Sequence, residues 1–192
     1  VNPHEGRTVL ARRAGWLVVL AAAVAACSLP DIPYVNPPAP AAFARLTDKG
    51  GRAVGQAVFA QRGGRIRILM DVNGLPPGPK AVHLHEVGQC DPPAFQAAGG
   101  HVNPTKAEHG TKNARGPHAG DLPDVVIEAD GRGHMETTTS RVTLRKGPTS
   151  LLDPDGSALV VHERADDQRT DPDGASGARI ACGVLMPAGR AF

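Results

Sequence analysis

The sequence predicts an all-β protein: eight short antiparallel strands in a sandwich or barrel, interrupted by two long loops that carry its chemistry. Three observations point there. Glycine (23) and proline (18) are abundant, which favours many turns over long helices. Short apolar segments recur between turn signals, with little sign of a helical period. Five of the eight histidines fall between positions 83 and 118, inside or beside a stretch with almost no periodicity. With four Phe, one Tyr and one Trp, the core has to be built from Val, Ile, Leu and Ala. A chain of 192 residues suits one such domain plus an appendage.

The appendage comes first. Arg7, Arg12 and Arg13 form a basic patch ahead of an apolar run over 14–26. That run is 13 residues, too short for a helix to cross a hydrocarbon core of roughly 30 Å, so 1–26 reads as a signal peptide. Val24-Ala25-Ala26-Cys27 resembles a bacterial lipobox, in which Cys27 is acylated and becomes the new N-terminus; a plain secretory signal with an incidental cysteine is the alternative. Removing 1–26 leaves 18 basic and 18 acidic side chains, so the formal +2 becomes zero and nothing supports nucleic-acid binding. Residues 27–40 hold the lipidated Cys27 and five prolines and read as a semi-extended tether. The expected setting is the periplasmic side of a bacterial cell envelope, with the protein anchored to a membrane through lipid on Cys27. Two cysteines remain, Cys90 and Cys182, and in an oxidising compartment they suit one disulfide.

The domain follows over 41–187, with a short tail at 188–192. Strands are predicted at 41–47, 54–60, 65–72, 80–86, 124–129, 133–139, 158–163 and 179–185. The third alternates most clearly, with Ile66, Ile68, Met70 and Val72 on one face and Arg65, Arg67 and Asp71 on the other. Residues 87–123 and 164–178 break the pattern, and irregular loops of that length inside a compact domain are usually functional.

His83 and His85 are two apart in a strand, so both project from one face and can reach one metal without backbone movement. The long loop adds His101, His109, His118 and Asp121. Three imidazoles and a carboxylate make a four-coordinate set for zinc, if the loop folds around the ion. His162, on a later strand, joins His83 and His85 in a nitrogen-rich set suited to copper. His4 lies in the signal and His134 alternates within a strand, so neither is assigned a role.

In order along the chain stand Gly78, Val82-His83-Leu84-His85-Glu86, Gly88, Cys90, Gly99-Gly100-His101-Val102-Asn103-Pro104, His109-Gly110 and His118-Ala119-Gly120-Asp121. They are followed by Val161-His162, Ala165-Asp166-Asp167 and Gly177-Ala178-Arg179-Ile180-Ala181-Cys182-Gly183. This set resembles the copper/zinc superoxide dismutases over roughly 41–187. The compact second loop and early Cys90 are more similar to the bacterial envelope branch. The resemblance implies an eight-stranded Greek-key barrel with one copper and one zinc ion per subunit. Copper would sit on His83, His85, His101 and His162, and zinc on His101, His109, His118 and Asp121, with His101 bridging the two.

The resemblance also gives Asp166 the N–H groups of His83 and His109, places Arg179 at the open copper face to attract the anion, and lets Cys90–Cys182 tie the long loop to the last strand. It implies a catalytic cycle that converts superoxide to O2 and H2O2 through alternating Cu(II) and Cu(I), with a proton carried by His101. It leaves a homodimer open. The acids of 163–179 (Glu163, Asp166, Asp167, Asp171 and Asp173) outnumber Arg164, Arg169 and Arg179, so anion steering is expected to need Arg179 and a second loop, through Lys106 or Lys112. The rival readings are an envelope copper/zinc-binding lipoprotein without turnover, and a Greek-key adhesion module that needs no histidines.

Overall fold

The computed structural model describes residues 41–189. The signal peptide, Cys27, the tether and residues 190–192 lie outside the described residues. The fold is all-β, as predicted, with nine strands: β1 Ala41–Asp48, β2 Ala53–Arg62, β3 Arg65–Val72, β4 Gly78–Lys80, β5 Val82–His85, β6 Val125–Ile127, β7 Gly133–Thr139, β8 Ala158–His162 and β9 Arg179–Pro187. A three-residue 3-10 turn, Gln96–Ala98, is the one helical element among the described residues.

Every strand pair is antiparallel, in the order β4-β6-β7-β3-β2-β1-β9-β8-β5. The count of nine corrects the expected eight, and the reason is local. The strand predicted over 80–86 is divided at Ala81: β4 pairs with β6 at one end of the sheet, and β5 pairs with β8 at the other. Ala81 donates its N–H to Arg164 O and accepts from His162 N, so its backbone stays satisfied while the chain changes partners. One residue thus links the two end strands of the sheet, which curls into a nearly closed barrel.

The barrel interior is aliphatic. Ile66, Ile68, Met70 and Val72 point inward along β3 as their alternation requires, and they pack with Leu46, Phe59, Leu84, Ile127 and Leu159. β5 is buried on both faces. Val82 and Leu84 face this core, so His83 and His85 must face outward, into the layer formed by the long loops.

That layer is anchored in two ways. A separate cluster of Phe95, Ala98, Ala158, Val160 and Cys182 fixes the start of the long loop against β8 and β9, and the Cys90–Cys182 disulfide closes over it. Farther along, the loop adds short bridges to β5: His83 with Asp121 and His85 with His101. Leu84 N–H donates to Gly120 O, and Val102 N–H donates to Leu84 O. Backbone pairing alone therefore carries His101 and Asp121 to the side of the two strand histidines.

Candidate metal centre

His83 and His85 come from β5, His162 from the end of β8, and His101, His109, His118 and Asp121 from the long loop. All seven are buried. Among the described residues, two groups of four donors lie within 4.8 Å of one another: His83, His85, His101 and His162, and His83, His101, His109 and Asp121. The structure thus brings together every residue expected at the centre.

The hydrogen bonds decide which nitrogen of each ring is free. His83 Nε2 is 2.9 Å from Asp166 Oδ2, His85 Nδ1 is 3.0 Å from Gly99 O, and His162 Nδ1 is 3.0 Å from Ser176 Oγ. His101 Nδ1 is 3.0 Å from Asp121 Oδ1. The other nitrogens, His83 Nδ1, His85 Nε2, His101 Nε2 and His162 Nε2, are buried without any hydrogen-bond partner. A buried polar atom left unpaired costs about 1–3 kcal/mol, and four together call for a common partner. Burial pushes His83 down to about 4, His162 down to about 3 and His85 well below its ordinary value. All three are neutral at pH 7 and present lone pairs, the form that binds metal.

The three loop histidines, His101, His109 and His118, converge with Asp121 as a further set. His101 Nδ1 and His109 Nδ1 each lie 3.0 Å from Asp121 Oδ1, His118 Nδ1 lies 3.4 Å from it, and His118 Nδ1 is 3.2 Å from His101 Nδ1. A tetrahedral ion with ligands at about 2.0–2.1 Å has donor–donor edges of about 3.3 Å, so these four atoms have the spacing of a zinc shell. His109 Nδ1 makes no hydrogen bond to Asp121 despite the short separation, as expected of atoms that converge on a shared point. His83 also falls near this set, but its Nε2 is committed to Asp166, and its free Nδ1 serves the four-nitrogen group. Burial opposes the charging of His109, yet the carboxylates of Asp121 and Asp166 outweigh it and raise the ring to about 9. Asp121 is held well below the usual carboxylate range: the His101 ring, the adjacent His109 ring and the Gly110 N–H together overcome its burial.

Asp166 stands where it was expected. Oδ2 meets His83 and Oδ1 meets His109 at 2.9 Å, so one carboxylate orients a ring from each group. Gly174 makes this approach available: a Cβ there would lie 1.9 Å from Asp166 Oδ1 and 2.7 Å from His109 Nε2. Arg179 is the cross-strand partner of His162, and its two Nη atoms donate to Phe95 O and Gly99 O. Gly99 O also receives His85, so the disulfide-tied segment holds the arginine and a histidine of the four-nitrogen group through one carbonyl.

A cleft of about 540 Å3 opens onto His85, His101, His118 and His162, with Arg179, Glu86, Asp171 and Asp173 on its walls. Lys106 and Lys112 are not among its lining residues. Lys112 lines a separate cavity with Asp121, Asp124 and Arg141. His134 sits outside the centre, paired with Asp71 on the exposed face of β7 and β3. Sequence reasoning missed Arg141, whose Nη2 donates to Asp121 O, and Ser176, the buried partner of His162. Neither belongs to a motif, and their roles depend on long-range folding.

Residues 53–185 match the family described as copper/zinc superoxide dismutase (SODC). The chain is similar to superoxide dismutase [Cu-Zn] 1 of Aquifex aeolicus, with 42% identity over 144 residues, 74% of this chain and 85% of the relative. It is 41% identical over 145 residues to superoxide dismutase-like protein YojM of Bacillus subtilis, 74% of each chain. The crystal structure of a SOD-like protein from Bacillus subtilis matches with a TM-score of 0.70 at 40% identity, covering 75% of this chain and 97% of that one. The converging donors, the bridging carboxylate and these likenesses agree, and the chain belongs to the copper/zinc superoxide dismutase family.

Proposed function

We propose that this protein dismutes superoxide, two anions and two protons giving O2 and H2O2, with one copper and one zinc ion per subunit. The position of His101 carries this reading. Its Nε2 is a free, buried member of the all-histidine group, while its Nδ1 lies among the donors of His118 and Asp121. The four-nitrogen set, His83, His85, His101 and His162, suits copper, and the set with one carboxylate, His101, His109, His118 and Asp121, suits zinc. When bound, copper supplies a one-electron couple and zinc a redox-inert charge.

The residues of the chain supply the rest. Arg179 holds the anion at the cleft wall, its guanidinium kept in place by Phe95 O and Gly99 O. His101 takes up and releases a proton at Nε2 while Nδ1 stays with the zinc donors. Asp166 fixes the tautomers of His83 and His109, so that both present Nδ1 to their groups. All these residues come from one chain, and a homodimer is not needed to complete the site.

Pulse radiolysis on protein of measured copper and zinc content tests the reading, with a fast second-order loss of superoxide as the expected result. Full copper without dismutation would overturn it, leaving an envelope copper/zinc-binding lipoprotein. An Arg179→Ala variant should lose rate and salt dependence; full retention of both removes Arg179 from its role.

We also infer that the protein works on the periplasmic side of a bacterial envelope, anchored through Cys27. The lipobox-like Val24-Ala25-Ala26-Cys27 supports this, as does a formed disulfide, which suits an oxidising compartment. Mass spectrometry of the mature N-terminus should find diacylglycerol on Cys27; an unmodified, cleaved chain would overturn the anchor.

A further inference from the structure

The far nitrogens of the zinc-set imidazoles follow a pattern. His101 turns Nε2 toward the all-histidine group, and His109 turns Nε2 to Asp166. His118 turns Nε2 toward Asp171, whose Oδ1 is 3.6 Å away. The same Asp171 Oδ1 accepts the backbone N–H of His109 at 2.7 Å. One oxygen therefore touches the backbone of one zinc-set residue and faces the ring of another.

Asp171 is itself held in place by its surroundings. Next to it in the second loop, Gln168 accepts from Thr111 N–H and Oγ1, and Gln168 O accepts from Lys112 N–H. Gly110 lies against that backbone so closely that a Cβ would meet Gln168 O at 2.1 Å, and its φ of +97° is one that glycine tolerates. The segment 168–171 thus clamps 109–112, and Asp171 is the point where the clamp reaches a ligand ring.

Resting on the metal assignment above, we propose that Asp171 is a positioning residue for zinc, acting through His118. At 3.6 Å the pair is an ion-pair contact rather than a hydrogen bond. A cation on Nδ1 makes the Nε2 proton more acidic, and a carboxylate facing that proton then stabilises the bound form and raises ligand basicity. Asp171 would do for His118 what Asp166 does for His109. It does so from the cleft wall, with its side chain about half exposed, at the cost of a negative charge beside the path of an anion.

The test reads zinc rather than turnover. Zinc affinity is measured on full-length protein by competition with a chromogenic chelator, and cobalt(II) is used as an absorbing replacement in the zinc site. Asp171→Asn keeps an oxygen for His109 N–H and loses the charge; Asp171→Ala loses both. Both variants should bind zinc roughly fivefold more weakly, the scale of a partly screened ion pair, with a shifted cobalt visible band. Thr111→Ala loosens the same clamp without touching a ring and should leave the cobalt band in place. If Asp171→Asn and Asp171→Ala keep zinc affinity within about twofold and an unchanged cobalt band, the proposal is wrong. A shift of equal size in Thr111→Ala would also overturn it, by reducing the effect to loop order. If the unmodified protein binds no zinc, the metal assignment itself fails.

Discussion

Removing the Cys90–Cys182 bridge asks how much of the loop layer is held by covalent connection. The two cysteines are 92 positions apart, and in the chain-entropy account closing a loop of that length stabilises the fold by about 4–5 kcal/mol. For a domain of this size the slope in guanidinium chloride is about 4 kcal/mol per M, so a Cys90→Ala, Cys182→Ala double variant should lose about 1 M from its midpoint. Unfolding followed by circular dichroism measures this on metal-free and metal-loaded protein. If the bridge acts through the unfolded chain, the loss is the same in both forms. If it mainly holds the Phe95–Gly99 segment in place, the loss is larger without metal, because His101 and its partners no longer pin the loop. A midpoint shift below about 0.3 M in both forms would refute the entropy argument.

Three further outcomes follow from the same geometry. Asp166→Ala leaves the Nε2 atoms of His83 and His109 buried and unpaired, so copper and zinc retention against a chelator should both fall, by roughly 10–100-fold; loss of one metal alone would contradict the bridging role. Gly174→Ala forces a Cβ into Asp166 at a φ of +66° and should cost about 1–3 kcal/mol in thermal or denaturant unfolding, with weaker zinc retention. Metal-free protein should lose stability as pH falls from about 7 to 5. His83, His85 and His162 have folded pKa values below the unfolded 6.5, so the unfolded state binds more protons there. The stabilising charge on His109 works in the other direction: it is present below 6.5 and lost as pH rises through about 9. A melting temperature lower by about 10 °C at pH 5 than at pH 7 is expected in the metal-free form, and a flat profile would count against neutral, buried ligands.

The sequence made the donors legible because they sit in motifs with chemical meaning. His83 and His85 face one side of a strand by period, and the remaining ligands are dense in a loop without period. The all-β class and most strand positions were legible too, through β3-type alternation and turn residues. The break at Ala81 was not. Residues 80–86 look continuous locally, and only the closing of the sheet, through Arg164 and His162, divides them. The contacts of Arg141 with Asp121 O and of Ser176 with His162 were equally hidden. Each joins segments whose proximity is a product of the fold and leaves no local signal.

Charge in the second loop shows why counting residues misjudges a field. Five acids against three arginines suggested a loop hostile to an anion. In the fold, Asp166 is buried between two imidazoles, and Asp167 accepts from Arg169 N–H, Thr170 N–H and the Thr170 hydroxyl. Arg164 is spent on Ala175 O and Arg169 on Lys112 O. Four of the loop's eight charges therefore shape backbone and orient rings, while Asp171, Asp173 and Arg179 line the cleft. At the cleft itself Arg179 shares the wall with Glu86, Asp171 and Asp173, and neither Lys106 nor Lys112 lines it. Arg179 is the one arginine or lysine lining this cleft among the described residues, and bound ions would add the largest local charges at such a site. Metal content should accordingly govern how strongly the reaction rate responds to salt, beyond its effect on how many sites are active.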